Sequence, residues 1–208
     1  MKTELLDLRR MDCMELMKEY PDNHFDLAVV DPPYGIGDKF KGGATGKMNF
    51  NEVVNKGWDE KPPNSDYFIE LMRVSENQII WGGNYFLDHL GATRCFITWD
   101  KRVGEDFSLA MGELAWTSFD KLAKIFRLSN PKTDRLHPTQ KPVKLYDWIF
   151  ANYAEKGMKI LDTHLGSGSS AIASHYAGMH LTACELDEDY YKAACERIKA
   201  NTQQLALF

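Results

Sequence analysis

Cysteine is scarce and scattered. Cys13, Cys95, Cys184 and Cys195 form no CxxC pair, which excludes a zinc ribbon and gives no sign of a disulfide framework. A reducing, cytoplasmic setting is the simplest expectation. His137 and His164 have no companions at ligand spacing, so no metal is expected. No apolar run approaches the length that spans a bilayer, and Met1-Lys2-Thr3-Glu4 begins no signal peptide. No membrane partner is therefore expected. Internal repeats are lacking too. So is an excess of positive charge: 25 Lys and Arg stand against 30 Asp and Glu, for a net charge of −5. That balance argues weakly against a nucleic-acid partner, although the distribution of charge matters more than its sum. From Lys121 to Lys144 the chain carries Lys121, Lys124, Arg127, Lys132, Arg135, Lys141 and Lys144 against a lone Asp134. Lys39, Lys41 and Lys47 form a second basic group. Each group is either a nucleic-acid contact or a solvated face.

What is present fits one domain. A chain of 208 residues, 44% hydrophobic and 26% charged, is large enough to bury a core without staples. Phe25 to Val30 is an apolar, β-branched run of strand length, stopped by Asp31-Pro32-Pro33-Tyr34. Neither proline can donate a ladder hydrogen bond, so the strand must end there. A carboxylate, a carbonyl on stiffened backbone and an aromatic ring are thereby presented at a strand's C-terminal edge, where open α/β sheets bind ligands. A plain turn capping a core strand would read the same way locally.

Upstream, Glu4 to Arg10 reads as a strand, and Asp12 is placed to cap a helix from Cys13 to Glu19. Strand, helix, strand at this spacing implies a parallel pair. Gly35 to Pro63 holds six glycines and no sustained period. Loops of that length are usually lids or binding loops. Its Phe40, Phe50 and Trp58 suit stacking on a nucleic acid, and equally suit pinning a loop to the protein body. Beyond it the pattern predicts a helix over Asp66 to Arg73 capped by Ser65, a strand over Gln78 to Trp81, and a short helix over Asn84 to Leu90. Strands follow at Cys95 to Trp99 and Glu113 to Phe119, with Lys124 to Leu128 as a hairpin partner of the latter. A polar loop, Ser129 to His137, precedes a helix from Val143 to Tyr153 opened by Pro142.

The last third holds the second informative stretch. A strand, Lys159 to Leu161, runs into Asp162-Thr163-His164-Leu165-Gly166-Ser167-Gly168-Ser169-Ser170, then a helix, the strand His180 to Cys184, and Glu185. Glycines in a strand-to-helix turn let a ligand approach the backbone closely. An acid ending the next strand is placed for ribose hydroxyls. An amphipathic helix from Asp189 to Ala200 closes the chain.

Together these stretches resemble the β-class amino-methyltransferases of DNA, the N6-adenine and N4-cytosine enzymes that use S-adenosylmethionine. Asp31 to Tyr34 matches the family's catalytic Asp/Asn/Ser-Pro-Pro-aromatic motif. Asp162 to Ser169 matches its cofactor motif, commonly Asp-Pro-Phe-x-Gly-Ser-Gly-Thr, with Thr163, His164 and Ser169 departing from it. His137-Pro138-Thr139-Gln140-Lys141-Pro142 is similar to the segment that closes over the methionine part of the cofactor, and Ile80 to Phe86 also has the family's look. The catalytic motif precedes the cofactor motif, which is the β order. The long target-recognition insertion of many relatives is missing, which leaves 35–63 and 129–136 as the candidate readers of DNA.

The resemblance implies a doubly wound, mostly parallel, seven-stranded sheet of the Rossmann-like kind, with Asp31 and Gly166 on neighbouring strands. It implies Asp31, Pro32, Pro33 and Tyr34 as the catalytic set. Cofactor contacts are implied for Asp12, Asp31, Thr139, Gln140, Lys141, Asp162, Leu165, Gly166, Ser167, Gly168, Ser169 and Glu185. The implied activity is methylation of the exocyclic N6 amine of adenine in double-stranded DNA, with the base flipped out, by a homodimer. Asp31 and the Pro32 carbonyl would accept the amine hydrogens, and Tyr34 would stack on the base. N4-cytosine methylation, RNA N6-adenine methylation and an inactive cofactor-binding partner subunit are the alternatives. C5-cytosine chemistry is excluded, because it needs a cysteine nucleophile, typically after proline, and none of the four follows one.

Overall fold

The alternation within Phe25–Val30 sends Leu27 and Val29 to one face and Ala28 and Val30 to the other, and both sets are buried. A strand buried on both sides belongs in the middle of a layered sheet. In the computed structural model, which describes residues 1–36, 61–104, 110–129 and 140–203, that is its position. The strands are β1 (Leu6–Arg10), β2 (Phe25–Val30), β3 (Ser75–Trp81), β4 (Ile97–Asp100), β5 (Gly112–Thr117), β6 (Lys124–Arg127), β7 (Lys159–Asp162) and β8 (His180–Glu185). They form one eight-stranded sheet in the order β1-β8-β7-β2-β3-β5-β4-β6. β5 alone runs against its neighbours, β3 and β4.

Helices cover both faces. α1 (Cys13–Lys18) and α2 (Ser65–Val74) pack on the side of Ala28, Val30 and Ile80. α3 (Val143–Tyr153), α4 (Ser169–Ala177) and α5 (Glu188–Thr202) pack on the side of Leu27, Val29, Ile79 and Trp81. Each fully buried aliphatic or aromatic side chain contributes roughly 1.5–3 kcal/mol, so the two layers hold the sheet between them. Among the described residues no helix is long and apolar enough to cross a membrane.

The sheet has eight strands where seven are expected, and β6 is placed differently from the expectation. Lys124–Arg127 is not a hairpin partner of β5. It pairs in parallel with β4, with Ile97 opposite Lys124 and Asp100 opposite Arg127. The reason is that β5 already has a neighbour on each side, while Phe126 finds its apolar partner in Trp148 of α3, 5.5 Å away between ring centroids. The expected helix from Asn84 to Leu90 reduces to a single 3-10 turn, Gly83–Tyr85. The α2 cap is Asn64, not Ser65: the Asn64 side chain accepts from Tyr67 N at 3.3 Å. Strand β3 starts at Ser75 directly after α2, with Ser75 Oγ donating to Leu71 O.

Candidate active site

β2 pairs with β7, so Asp31 and the turn after Asp162 emerge side by side from the same edge of the sheet. One cavity of about 570 Å3 opens there. Asp31, Pro33, Gln140 and Lys141 line one end, Leu165, Gly166, Ser167 and Ser169 the floor, and Asp12, Glu185 and Leu186 the other end. Its size suits a ligand that is largely engulfed.

The catalytic-type motif is held by charge. Lys141 is 2% exposed, yet its ammonium lies 2.5 Å from Asp31 Oδ2 and 3.1 Å from Glu113 Oε2. The second contact is an ion pair whose angle is not that of a hydrogen bond. Glu113 Oε1 in turn meets Lys101 at 2.6 Å. The result is an alternating chain, Lys101, Glu113, Lys141, Asp31, with zero net charge, which is how buried charges are tolerated. Burial pushes the Asp31 carboxyl up, and Glu113 adds to that, against the pull of Lys141. Burial alone would depress Lys141, but Asp31 and Glu113 outweigh it and hold the ammonium above its ordinary value. Glu113 is held below the usual carboxylate range because Lys141 and Lys101 outweigh its burial.

Tyr34 donates its hydroxyl to Asp31 Oδ1 at 2.6 Å. Its ring stacks beside Tyr85, 5.1 Å between centroids and 17° from parallel, and meets Phe86 edge-on. Gly82, with φ +70°, makes room for that ring: a Cβ there would overlap it. Tyr85 is therefore half exposed and part of the site, whereas Phe86 is core.

The turn after β7 is built around its own side chains. Asp162 accepts from Ser170 Oγ at 2.5 Å and from His164 N at 3.0 Å, and burial raises its pKa to about 6. It supports the turn and does not line the cavity. Nor does Gly168: with φ +77°, it faces α5, where a Cβ would lie 2.7 Å from Ile198 Cδ1. Gly166, with φ +51°, does line the cavity. Glu185 ends β8 with Oε2 accepting from Gly166 N and Oε1 from Asp187 N, both at 3.0 Å, so its carboxylate is aimed by backbone. Asp12 caps α1, Oδ1 accepting from Met14 N and Glu15 N, and also lines the cavity. Thr139 and His137 lie outside the described residues, as does nearly all of 35–63.

Reading the sequence misses Glu113 and Arg197. Glu113 sits on the antiparallel strand β5, amid residues that read as strand filler, and only the pairing order brings it to Lys141. Arg197, from α5, donates to Ser167 O at 2.7 Å and to Ser169 Oγ at 3.0 Å, and Ser169 Oγ donates to Lys141 O at 2.7 Å. The glycine turn and the Lys141 segment are thus tied together behind the cavity. Among the described residues no group of His, Cys, Asp and Glu is arranged to hold a metal.

Residues 99–196 match the family model of the N6/N4 DNA methylases. Just under half of the chain is thus similar to that family. The match takes in Glu113, Lys141, the glycine turn and Glu185. The type II methyltransferase M2.MboI of Moraxella bovis is 26% identical over 210 residues, covering 78% of this chain and 76% of its own. Two solved structures share this chain's fold. The PvuII DNA methyltransferase, described as cytosine-N4-specific, superposes with a TM-score of 0.65 at 12% identity, covering 98% of this chain and 93% of that one. M1.HpyAVI in complex with SAM gives 0.63 at 15% identity, covering 93% and 99%.

Proposed function

We propose that this protein is a member of that family and transfers a methyl group from S-adenosylmethionine to the exocyclic N6 amine of adenine in double-stranded DNA. The observation that carries the reading is the single cavity shared by Asp31 and by Glu185 with the glycine turn. The donor set fits the cofactor. Glu185 and Asp12 offer carboxylate acceptors at one end, suited to ribose hydroxyls and an exocyclic amine. Gly166 brings backbone close along the floor beside the Ser167 hydroxyl, and Gln140 and Lys141 offer donors at the other end, suited to an amino-acid tail.

S-adenosylmethionine supplies a methyl group already activated on a sulfonium. The protein's part is therefore positioning and charge. Asp31 accepts one hydrogen of the amine and the Pro32 carbonyl the other, which localises a lone pair otherwise delocalised into the ring. Each Asp31 oxygen keeps a second lone pair beyond those used by Tyr34 and Lys141. Lys141 favours the ionised acceptor. Tyr34, braced by Gly82 and Tyr85, offers a ring face to a base that has left the duplex. An aspartate, not a serine, at the first motif position supports adenine over cytosine.

The test is incubation of the purified protein with plasmid and S-adenosylmethionine, followed by nucleoside analysis and mapping of the modified base. N6-methyladenine in DNA is the expected product. N4-methylcytosine, or methylation of RNA alone, would replace the reading, and no transfer would leave a cofactor-binding subunit. We also propose a homodimer acting in the cytoplasm. The exposed Leu114 and Ile125, aligned across Thr98 on one sheet face, support self-association.

A further inference from the structure

The glycine turn carries Thr163 and His164 where the family commonly has proline and phenylalanine, and both enter a buried hydrogen-bond relay. The Tyr67 hydroxyl, on the first turn of α2, lies 2.7 Å from Thr163 Oγ1, and Thr163 Oγ1 lies 2.9 Å from His164 Nδ1. One hydroxyl between two neighbours can run in either direction, but only one direction satisfies every hydrogen. If His164 Nδ1 donated, Thr163 would donate to Tyr67, and the Tyr67 hydrogen would be buried with no acceptor, which is costly. If Tyr67 donates to Thr163 and Thr163 to Nδ1, nothing is left over. Burial also depresses the His164 pKa to about 4, so the ring is neutral and carries its one proton on Nε2.

Among the described residues that nitrogen has no hydrogen-bond partner, and it is not among the atoms sealed from solvent. His164 lines the cavity on the wall it shares with Asp12 and Glu185. Carboxylates at that end, Glu188 and Asp187 included, accept hydrogen bonds and cannot donate them. A purine needs the reverse at its ring nitrogens.

We propose that His164 is a cofactor-recognition residue whose Nε2–H, oriented by Tyr67 and Thr163, donates to a ring nitrogen of the adenine of S-adenosylmethionine. The proposal rests on reading this cavity as the cofactor site. A phenylalanine at this position would supply a ring face and no donor, so this chain would read the purine by a hydrogen bond that the common motif lacks.

Calorimetry tests it with S-adenosylhomocysteine and its 1-deaza, 3-deaza and 7-deaza analogues, each lacking one ring acceptor. Wild type should bind one of the three about tenfold more weakly than the parent, the worth of one hydrogen bond. His164→Phe should bind the parent about tenfold more weakly and lose the discrimination against that analogue. Thr163→Val, which frees the tautomer while keeping the imidazole, should reduce the same discrimination. Parent affinity should stay flat from pH 8 to pH 5.5 as far as His164 decides it. Wild type binding all three analogues like the parent would overturn the proposal, as would His164→Phe discriminating as wild type does. Failure of wild type to bind S-adenosylhomocysteine at all would overturn the cofactor reading itself.

Discussion

Lys141 is the residue on which the site's electrostatics turn. Removing one member of a buried ion pair leaves the other charge uncompensated, at a typical cost of about 3–5 kcal/mol. Lys141→Met should therefore lower thermal stability, and it should do more. Without the cation, burial raises the Asp31 carboxyl further, so the acceptor is protonated at pH values where wild type is ionised. The acid limb of the pH–rate profile should move to higher pH, with activity partly recovered by raising the pH. A lowered rate with an unmoved profile would make Lys141 a packing residue. Asp162 gives a second test with an opposite readout. Its folded-state pKa, about 6 against an ordinary 3.8, means that the folded protein binds a proton that the unfolded chain releases. That contribution is complete below about pH 4 and is lost as pH rises through about 6, a span worth about 3 kcal/mol. Asp162→Asn, which cannot titrate, should lack it. Thermal unfolding of both proteins from pH 4.5 to 7.5 should show the wild type losing stability relative to the variant as pH rises. A constant gap would contradict the assignment.

At the scale of elements, two glycines decide how turns meet their neighbours. Gly82 ends β3 in the left-handed region with the Tyr34 ring against it. Gly82→Ala should displace that ring and cut methyl transfer while leaving S-adenosylhomocysteine affinity close to wild type, a split visible by comparing kcat with calorimetry. Gly168 is the left-handed cap of α4, and its missing side chain admits Ile198 of α5. Gly168→Ala should cost about 1–3 kcal/mol from backbone strain alone, plus the displacement of Ile198. Ile198→Ala removes the colliding atoms, so the double variant should lose less in urea unfolding than the two single variants summed. Strict additivity would show that the crowding relaxes freely.

Over the whole molecule, charge placement sets how DNA can approach. The described residues of the basic stretch do not form one surface. β6 runs in the direction of β2, so Lys124 begins at the edge opposite Asp31. Lys124 Nζ donates to Asn152 Oδ1 at 2.6 Å and Lys121 Nζ to Asn152 O at 3.3 Å, near the C-terminal end of α3. α3 is about 16 Å long, with Lys144 at its active-site end. Arg127 ends β6, beside Asp100. Reversing Lys121 and Lys124 to Glu should leave DNA affinity nearly unchanged, whereas Arg127→Glu with Lys144→Glu should weaken it. The latter pair should also flatten the salt dependence by about 0.9 in log–log slope per lost phosphate contact. Equal losses from both pairs would mean that DNA wraps beyond the catalytic edge. Light scattering at micromolar concentration should give twice the chain mass. A monomer with full activity would remove the dimer.

The strand Phe25–Val30 and the helix Val143–Tyr153 have the limits their sequence announces, because prolines and apolar periodicity act locally. The motifs were legible for the same reason: Asp31 to Tyr34 and the turn at Gly166 each lie within a few consecutive residues, and each follows a strand whose end the pattern marks. Alternation says which side chains share a face of a strand, but not which strand lies next to it. That is settled by competition among edges, and it put β6 beside β4, brought Glu113 across β5 to Lys141, and turned Gly168 toward α5 instead of the cavity. The partners of a buried charge are therefore a property of strand order, which only the assembled sheet determines.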